Sequence, residues 1–180
     1  MAINKPFNLN KWIEQNRDLL KPPVGNKSIY KNSDDYIVMI VGGPNARKDY
    51  HYNETEELFY QLEGNIELQV QENGEKVTMK LGPGDMYLHP AKVPHSPVRH
   101  EGSIGLVIER KRMGEDTKDG LLWFCENCNN KLYEVYFPLQ NIETDFLTHF
   151  KHFYESKELR TCDKCGTVMP EDKLFTADND

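Results

Sequence analysis

Between Tyr36 and Ile108 the apolar residues come in short runs: Tyr36–Val41, Leu58–Tyr60, Ile66–Val70, Lys76–Met79, Met86–Leu88 and Ile104–Ile108. Polar turn residues separate them, as in Gly42-Gly43-Pro44-Asn45, Glu63-Gly64-Asn65, Gly82-Pro83-Gly84-Asp85 and Ala91–Pro94. Short strands at regular spacing, punctuated by glycine and proline, predict an all-β sandwich or barrel. Asn73-Gly74 between two such runs predicts a tight hairpin.

The flanks follow a different period. Trp12, Ile13, Asn16, Leu19 and Leu20 recur at helical spacing, with Asn8 or Asn10 as the cap and Pro22-Pro23 as the stop. Beyond Arg112, residues Met113–Gly120 are charged and read as a linker. The segment from Leu121 to Met169 carries two cysteine pairs. Within it, Ile142, Phe146, Phe150 and Phe153 predict a second helix, capped by Thr144 or Asp145. The polar tail after Lys173 is expected to fray. The expected division is a catalytic unit with an N-terminal helix over 1–112, and a C-terminal segment with a cysteine metal site and a helix over 113–180.

Composition narrows the function. The 180 residues are 38% hydrophobic and 28% charged, an ordinary globular balance. A net charge of -7 argues against a nucleic-acid partner, which needs a basic face. No apolar run approaches the roughly 20 residues that span a bilayer. Met1–Asn10 has no apolar core of signal-peptide type. The expectation is therefore a cytoplasmic protein with neither membrane nor nucleic acid as partner. A homodimer is left open.

Two groups of residues carry chemistry. His51 and Glu57 stand six apart, at the end of one strand and the start of the next, and His95 follows in the turn Pro94–Pro97. In a small barrel such strand ends converge. Two imidazoles and one carboxylate on one face of a metal suit iron(II) and leave the opposite face open. Arg47 precedes His51 by four residues and Arg99 follows His95 by four. A guanidinium fork matches a carboxylate, so the pair points to an anionic substrate unless both are solvated loop charges. Glu109, on a late strand, would face the interior.

The second group is Cys125-x2-Cys128 and Cys162-x2-Cys165. Its spacing fits a tetrahedral four-thiolate site for iron or zinc, with two disulfides as the alternative. Disulfides rarely persist in the cytoplasm. A saturated four-sulfur site has no room for substrate, so its role would be structural or electron-transferring.

The run Gly43–Gly64, holding His51, Glu57 and Gly64, resembles the first motif of the cupin superfamily. Gly84, Pro90 and His95 resemble its second. Asn53 stands where the first motif usually has another histidine, and Arg99 where the second usually closes on asparagine. A four-ligand site is thereby reduced to three. Gly42–His51, Glu57–Asn65, Pro94–Arg99, Val107–Arg110 and the cysteine pairs more narrowly resemble the 3-hydroxyanthranilate 3,4-dioxygenase family.

That resemblance implies a mainly β, double-stranded β-helix (jelly-roll barrel) with flanking helices and a small metal-stapled C-terminal appendage. It implies iron(II) on His51, Glu57 and His95, with Arg47, Glu57, Arg99 and Glu109 facing the substrate and Asp49 as a helper near the iron. Some members carry a rubredoxin-like iron on the cysteines, and animal relatives lack it. The implied reaction opens 3-hydroxyanthranilate with O2 to 2-amino-3-carboxymuconate semialdehyde, the precursor of quinolinate and NAD in tryptophan breakdown. Another cupin oxygenase, a metal-dependent isomerase and a non-enzymatic ligand-binding cupin remain as rivals. His89 is a weaker candidate beside the metal, and His100, His149 and His152 read as surface or helix-face residues.

Overall fold

The computed structural model describes residues 5–21, 25–45, 47–112, 118–141 and 144–176. The chain opens with α1 (Leu9–Asn16) and a 3-10 turn (Arg17–Leu20). There follow β1 (Asn26–Ser28), β2 (Tyr36–Gly42), β3 (Tyr50–Tyr52), β4 (Glu57–Glu63), β5 (Ile66–Glu72), β6 (Glu75–Leu81), β7 (Met86–His89), β8 (His95–Arg99) and β9 (Ile104–Arg110). The C-terminal part supplies β10 (Asp119–Phe124), β11 (Lys131–Phe137), α2 (Asp145–Glu155) and α3 (Lys173–Thr176).

The strands form two antiparallel sheets, ordered β1-β2-β9-β4-β7 and β11-β10-β3-β8-β5-β6. Period-two burial explains how they face each other. On β4, Glu57, Phe59 and Gln61 are buried while Leu58 and Tyr60 are half-buried. On β5, Ile66, Leu68 and Val70 are buried. Met39, Phe59 and Val107 from the first sheet therefore meet Ile66, Leu68, Val70 and Leu81 from the second in one core. Met39, Phe59 and Val107 of that core also form a wall of the cavity that holds the site.

The hairpin at Asn73-Gly74 forms as the sequence predicts. Both residues have positive φ, 52° and 84°, and Glu72 faces Glu75 across the turn. This is the geometry for which Asn-Gly is favoured. Asn8 is the cap of α1, its side chain accepting from Lys11 N at 2.9 Å. Ile13 and Leu20 then cover Ile40 and Ile104 on the outer face of the first sheet.

Three readings need correction. His95 opens strand β8, where a turn is expected. The prolines at 94 and 97 suggest a turn, but β8 pairs along its whole length with β5, from Val70↔His95 to Ile66↔Arg99, and with β3 at His51↔His95 alone. Beyond that pair it is Asn45 Nδ2 that donates to the Pro97 carbonyl, at 2.8 Å. Second, Asp119 and Gly120, expected at the end of the linker, open strand β10 (Asp119–Phe124), which is paired with both β3 and β11. Its burial on both faces removes the alternation by which strands are read. Third, the polar tail begins with α3, whose Phe175 lies parallel to Tyr154 at 5.6 Å between ring centroids.

In α2, Phe146, Phe150 and Phe153 bury as predicted, against Leu121, Trp123 and Phe137. Thr144 occupies the N-cap, yet its side chain caps nothing. Asp145 Oδ2 instead accepts from Gln140 N and Asn141 N, both at 2.7 Å. Ile142, Pro22-Pro23, Ala46, most of the expected linker and the last four residues lie outside the described residues. Because β10 pairs with β3, the second sheet draws strands from both sides of residue 112. Among the described residues no helix is long and apolar enough to cross a membrane.

Candidate metal and substrate site

The barrel cavity gathers the first group of residues. His51 lies mid-strand in β3, Glu57 opens β4 and His95 opens β8. One ligand atom from each of the three lies within 4.8 Å of the others, and all three residues are buried. Glu57 Oε2 has no hydrogen-bond partner. His95 Nε2 is only 3.0 Å from it, but not aligned to donate. A buried carboxylate oxygen without a donor is costly, and a cation shared with the two imidazoles would satisfy it.

The electrostatics agree with a cation there. Burial pushes the Glu57 carboxyl upward, but His95, His51 and Arg112 outweigh it and hold it down at about 2. Burial lowers His51, opposed by Asp119, so its imidazole stays neutral with a lone pair to offer. The cluster thus presents two nitrogens and an anionic oxygen, the donor set of non-heme iron(II) sites. Asn53 is turned away from it, donating to Glu109 Oε2 at 2.7 Å and accepting from Thr55 N at 2.8 Å.

The triad lines a cavity of about 340 Å³ together with Arg47, Arg99 and Glu109. Met39, Phe59, Val107, Phe146 and Phe150 supply apolar walls. Arg99 is only 2% exposed, and neither its Nε nor its Nη1 has a partner. Burial, reinforced by the Arg47 charge and opposed by Glu57, lowers it to about 10. A buried guanidinium with free donors is a receptor for an anion. Gly105 makes room for it, since a Cβ there would stand 2.9 Å from both Arg99 Nη1 and Gln61 Oε1.

Arg47 is engaged differently. It forks onto Asp49, with Nε donating to Oδ1 at 2.9 Å and Nη2 to Oδ2. It also lies over the rings of Phe146 and Phe150 at 5.3 and 5.0 Å. Asp49 therefore serves the arginine and takes no place in the metal cluster. Glu109 is interior, accepting from Asn53 and from Arg112 Nη1 at 2.9 Å. Burial and the Glu57 charge raise it to about 8, against the pull of Arg112.

Several neighbours escaped the sequence reading. Asp119 is fully buried, with Oδ1 2.6 Å from His51 Nε2. Arg112 grips the same carboxylate. Arg112 precedes the charged stretch that reads as a linker and Asp119 lies within it, and no local pattern marks them. His89 is 1% exposed, and its ring centre is 4.3 Å from that of His95. Burial and the His95 charge lower it to about 4. His149 stacks on Phe137 at 4.1 Å, while His100 and His152 are exposed. Phe146, read as a helix-face residue, packs its ring 5.2 Å from that of His51.

The four cysteines form a second cluster. Their thiols are free, and the Cys125–Cys165 and Cys128–Cys162 sulfurs are each 3.6 Å apart. That excludes disulfide bonding and approaches the about 3.8 Å expected of sulfurs 2.3 Å from a tetrahedral metal. The two knuckles match. Asn129 N donates to Cys125 O, and Gly166 N to Cys162 O, both at 2.9 Å. Each donor has positive φ, 56° and 74°, a conformation open to glycine and, among other residues, most readily to asparagine.

Comparison with known proteins gives a consistent result. A family model described as 3-hydroxyanthranilic acid dioxygenase matches residues 1–154. A protein of Xanthomonas campestris pv. campestris (strain 8004) named 3-hydroxyanthranilate 3,4-dioxygenase is 56% identical over 172 residues, 96% of each chain. One of the same name from Bacillus thuringiensis (strain Al Hakam) is 43% identical over 167 residues, 92% of each chain. Among solved structures, a cupin-2 domain protein from Shewanella frigidimarina has a TM-score of 0.46 at 22% identity, covering 58% of this chain and 93% of that one. By the family match and the near-full-length relatives, the chain belongs to the 3-hydroxyanthranilic acid dioxygenase family.

Proposed function

We propose that this protein opens the ring of 3-hydroxyanthranilate with O2, using iron(II) held by His51, Glu57 and His95. The observation that carries the reading is one cavity in which Arg99, its Nε and Nη1 without partners, and the His/Glu/His cluster face an apolar slot. A single-ring substrate with a carboxylate at one side and an adjacent amine and hydroxyl at the other matches that arrangement. Iron(II), when bound, supplies the redox chemistry by which ring and O2 react.

The chain's own residues do the rest. Arg99 receives the substrate carboxylate with its free donors, and Arg47, steadied by Asp49, adds positive charge at the cavity mouth. Glu57, as a metal ligand, also borders the substrate. Glu109 accepts a hydrogen bond from the substrate amine. Phe59, Met39 and Val107 hold the ring, and Phe146 and Phe150 exclude water. Substrate plus O2 gives 2-amino-3-carboxymuconate semialdehyde, in which both added oxygens are retained. That product closes without an enzyme to quinolinate, feeding NAD synthesis from tryptophan.

The cysteine cluster binds a second metal, iron or zinc, in a structural role. The proposed triad and its arginines come from residues 1–112 and the cysteines from 113–180, two segments that share the second sheet and the cavity wall. Free thiols suit a reducing, cytoplasmic setting. A homodimer is supported by the outer face of the first sheet, where Met86 and Leu88 are 70% and 55% exposed beside half-buried Leu58 and Tyr60. The test is to load the protein with iron(II) anaerobically, add 3-hydroxyanthranilate, admit air and follow absorbance of the muconate product. Product formation at the rate of O2 uptake is expected. No turnover with a filled triad overturns the reading.

A further inference from the structure

Asp119, at the head of β10, and Arg112 join two parts of the site that the reaction uses separately. Asp119 Oδ1 lies 2.6 Å from His51 Nε2. Arg112 holds the same carboxylate with two prongs, Nε to Oδ2 at 2.6 Å and Nη2 to Oδ1. Its remaining nitrogen, Nη1, donates to Glu109 Oε2 at 2.9 Å. The side chains of Arg112, Asp119 and Glu109 are at most 5% exposed. We propose that Asp119 is a positioning residue for His51, and that Arg112 ties it to Glu109, so that one buried clamp sets both the metal-ligand imidazole and the acid facing the substrate.

The physical case rests on what an imidazole needs. A neutral histidine carries its proton on either ring nitrogen, and the bond made by one nitrogen decides the role of the other. A carboxylate accepting from Nε2 leaves the lone pair on Nδ1 and stops the ring from turning. Metal-binding histidines commonly carry such a partner. Arginine suits the bridge because its planar fork can serve two carboxylates at once, which an ammonium cannot do in fixed geometry. A purely stabilising role explains the arrangement less well, since buried ion pairs add little stability over apolar side chains of equal volume.

The role rests on the reading of His51 as a metal ligand, and the test separates the two. The full-length chain, free of metal at the triad, is labelled with nitrogen-15 at histidine, and the His51 signals are assigned against His51→Gln. Native His51 is expected in one tautomer with its proton on Nε2. In Asp119→Asn the tautomers are expected to mix or reverse, and affinity for iron(II), measured against a competing chelator, to fall 10- to 100-fold. Arg112→Gln should keep the tautomer but raise KM for 3-hydroxyanthranilate.

An unchanged tautomer and unchanged iron affinity in a folded Asp119→Asn protein overturn the positioning role. Should that variant fail to fold, a proton on Nδ1 in the native protein overturns it equally. An unchanged KM in Arg112→Gln overturns the tie to Glu109. If the tautomer responds as expected while the native triad takes up no iron(II), the metal reading fails and the hold of Asp119 on His51 stands.

Discussion

At the residue scale, the site sets two requirements against each other at Arg99. Burial and the Arg47 charge oppose its charge, yet the structure leaves its Nε and Nη1 unpaired. Truncating one partner of a buried charged pair costs about 2 to 5 kcal/mol. Arg99→Ala should therefore lower kcat/KM for 3-hydroxyanthranilate by roughly 30-fold to several thousand-fold. 2-Aminophenol keeps the amine and hydroxyl and lacks the carboxylate, so it should be a poor substrate that the substitution scarcely affects. Equal losses on both substrates, measured side by side, would show that Arg99 does not read the carboxylate. Gly105→Ala tests the same point from behind. Gln61 is held by donating to Glu63 O and Gly64 O at 2.8 and 3.2 Å, so Arg99 must give way to the new methyl. Overpacking of this kind costs about 1 to 3 kcal/mol. The loss should fall on KM for the carboxylate-bearing substrate, and unchanged steady-state kinetics would contradict it.

At the element scale, legibility followed local pattern. β4 and β5 were readable because their apolar residues alternate, and the β5–β6 hairpin because Asn73-Gly74 permits two positive φ values. His51, Glu57 and His95 were readable because each sits at a fixed distance from turn glycines and prolines. β10 was not, since it is buried on both faces. Asp119 was not, because His51 stands 68 residues away on β3 and no spacing along the chain encodes that meeting, and Arg112 gains its role only through Asp119 and Glu109.

The cysteine knuckles dock on the barrel separately, through Asn129 to Gln71 and Gly74 O. Changing Cys125 and Cys128 to Ser should remove one metal equivalent per chain and lower the melting temperature, with ring opening retained in folded protein. Metal analysis with kinetics on the folded fraction checks this. Complete loss of activity with the triad still metallated would give the cysteine metal a part in the reaction. On β7, Leu88→Glu places a charge on the exposed apolar face. It should convert dimer to monomer in light scattering, and an unchanged mass would remove that face from the interface.

At the scale of the whole molecule, the site is assembled by both sheets and by the helix laid across them. The first sheet gives Glu57 and Glu109, the second gives His51, His95 and Arg99, and α2 closes the cavity with Phe146 and Phe150. Removing a ligand should therefore disarm the chemistry without unfolding the barrel. His95→Ala is expected to lose triad iron and turnover while keeping its circular dichroism, and full activity in that variant would sink the metal assignment. The most direct test of ring opening follows the oxygen itself. The iron(II)-loaded protein is given 3-hydroxyanthranilate under oxygen-18 gas, and the quinolinate that forms is weighed by mass spectrometry. Incorporation of both atoms at the cleaved bond places one heavy oxygen in the new carboxylate, while the aldehyde oxygen leaves as water on ring closure. Quinolinate carrying one oxygen-18 atom is the predicted result. Unlabelled product, or O2 consumed with no ring-opened product, would contradict the account.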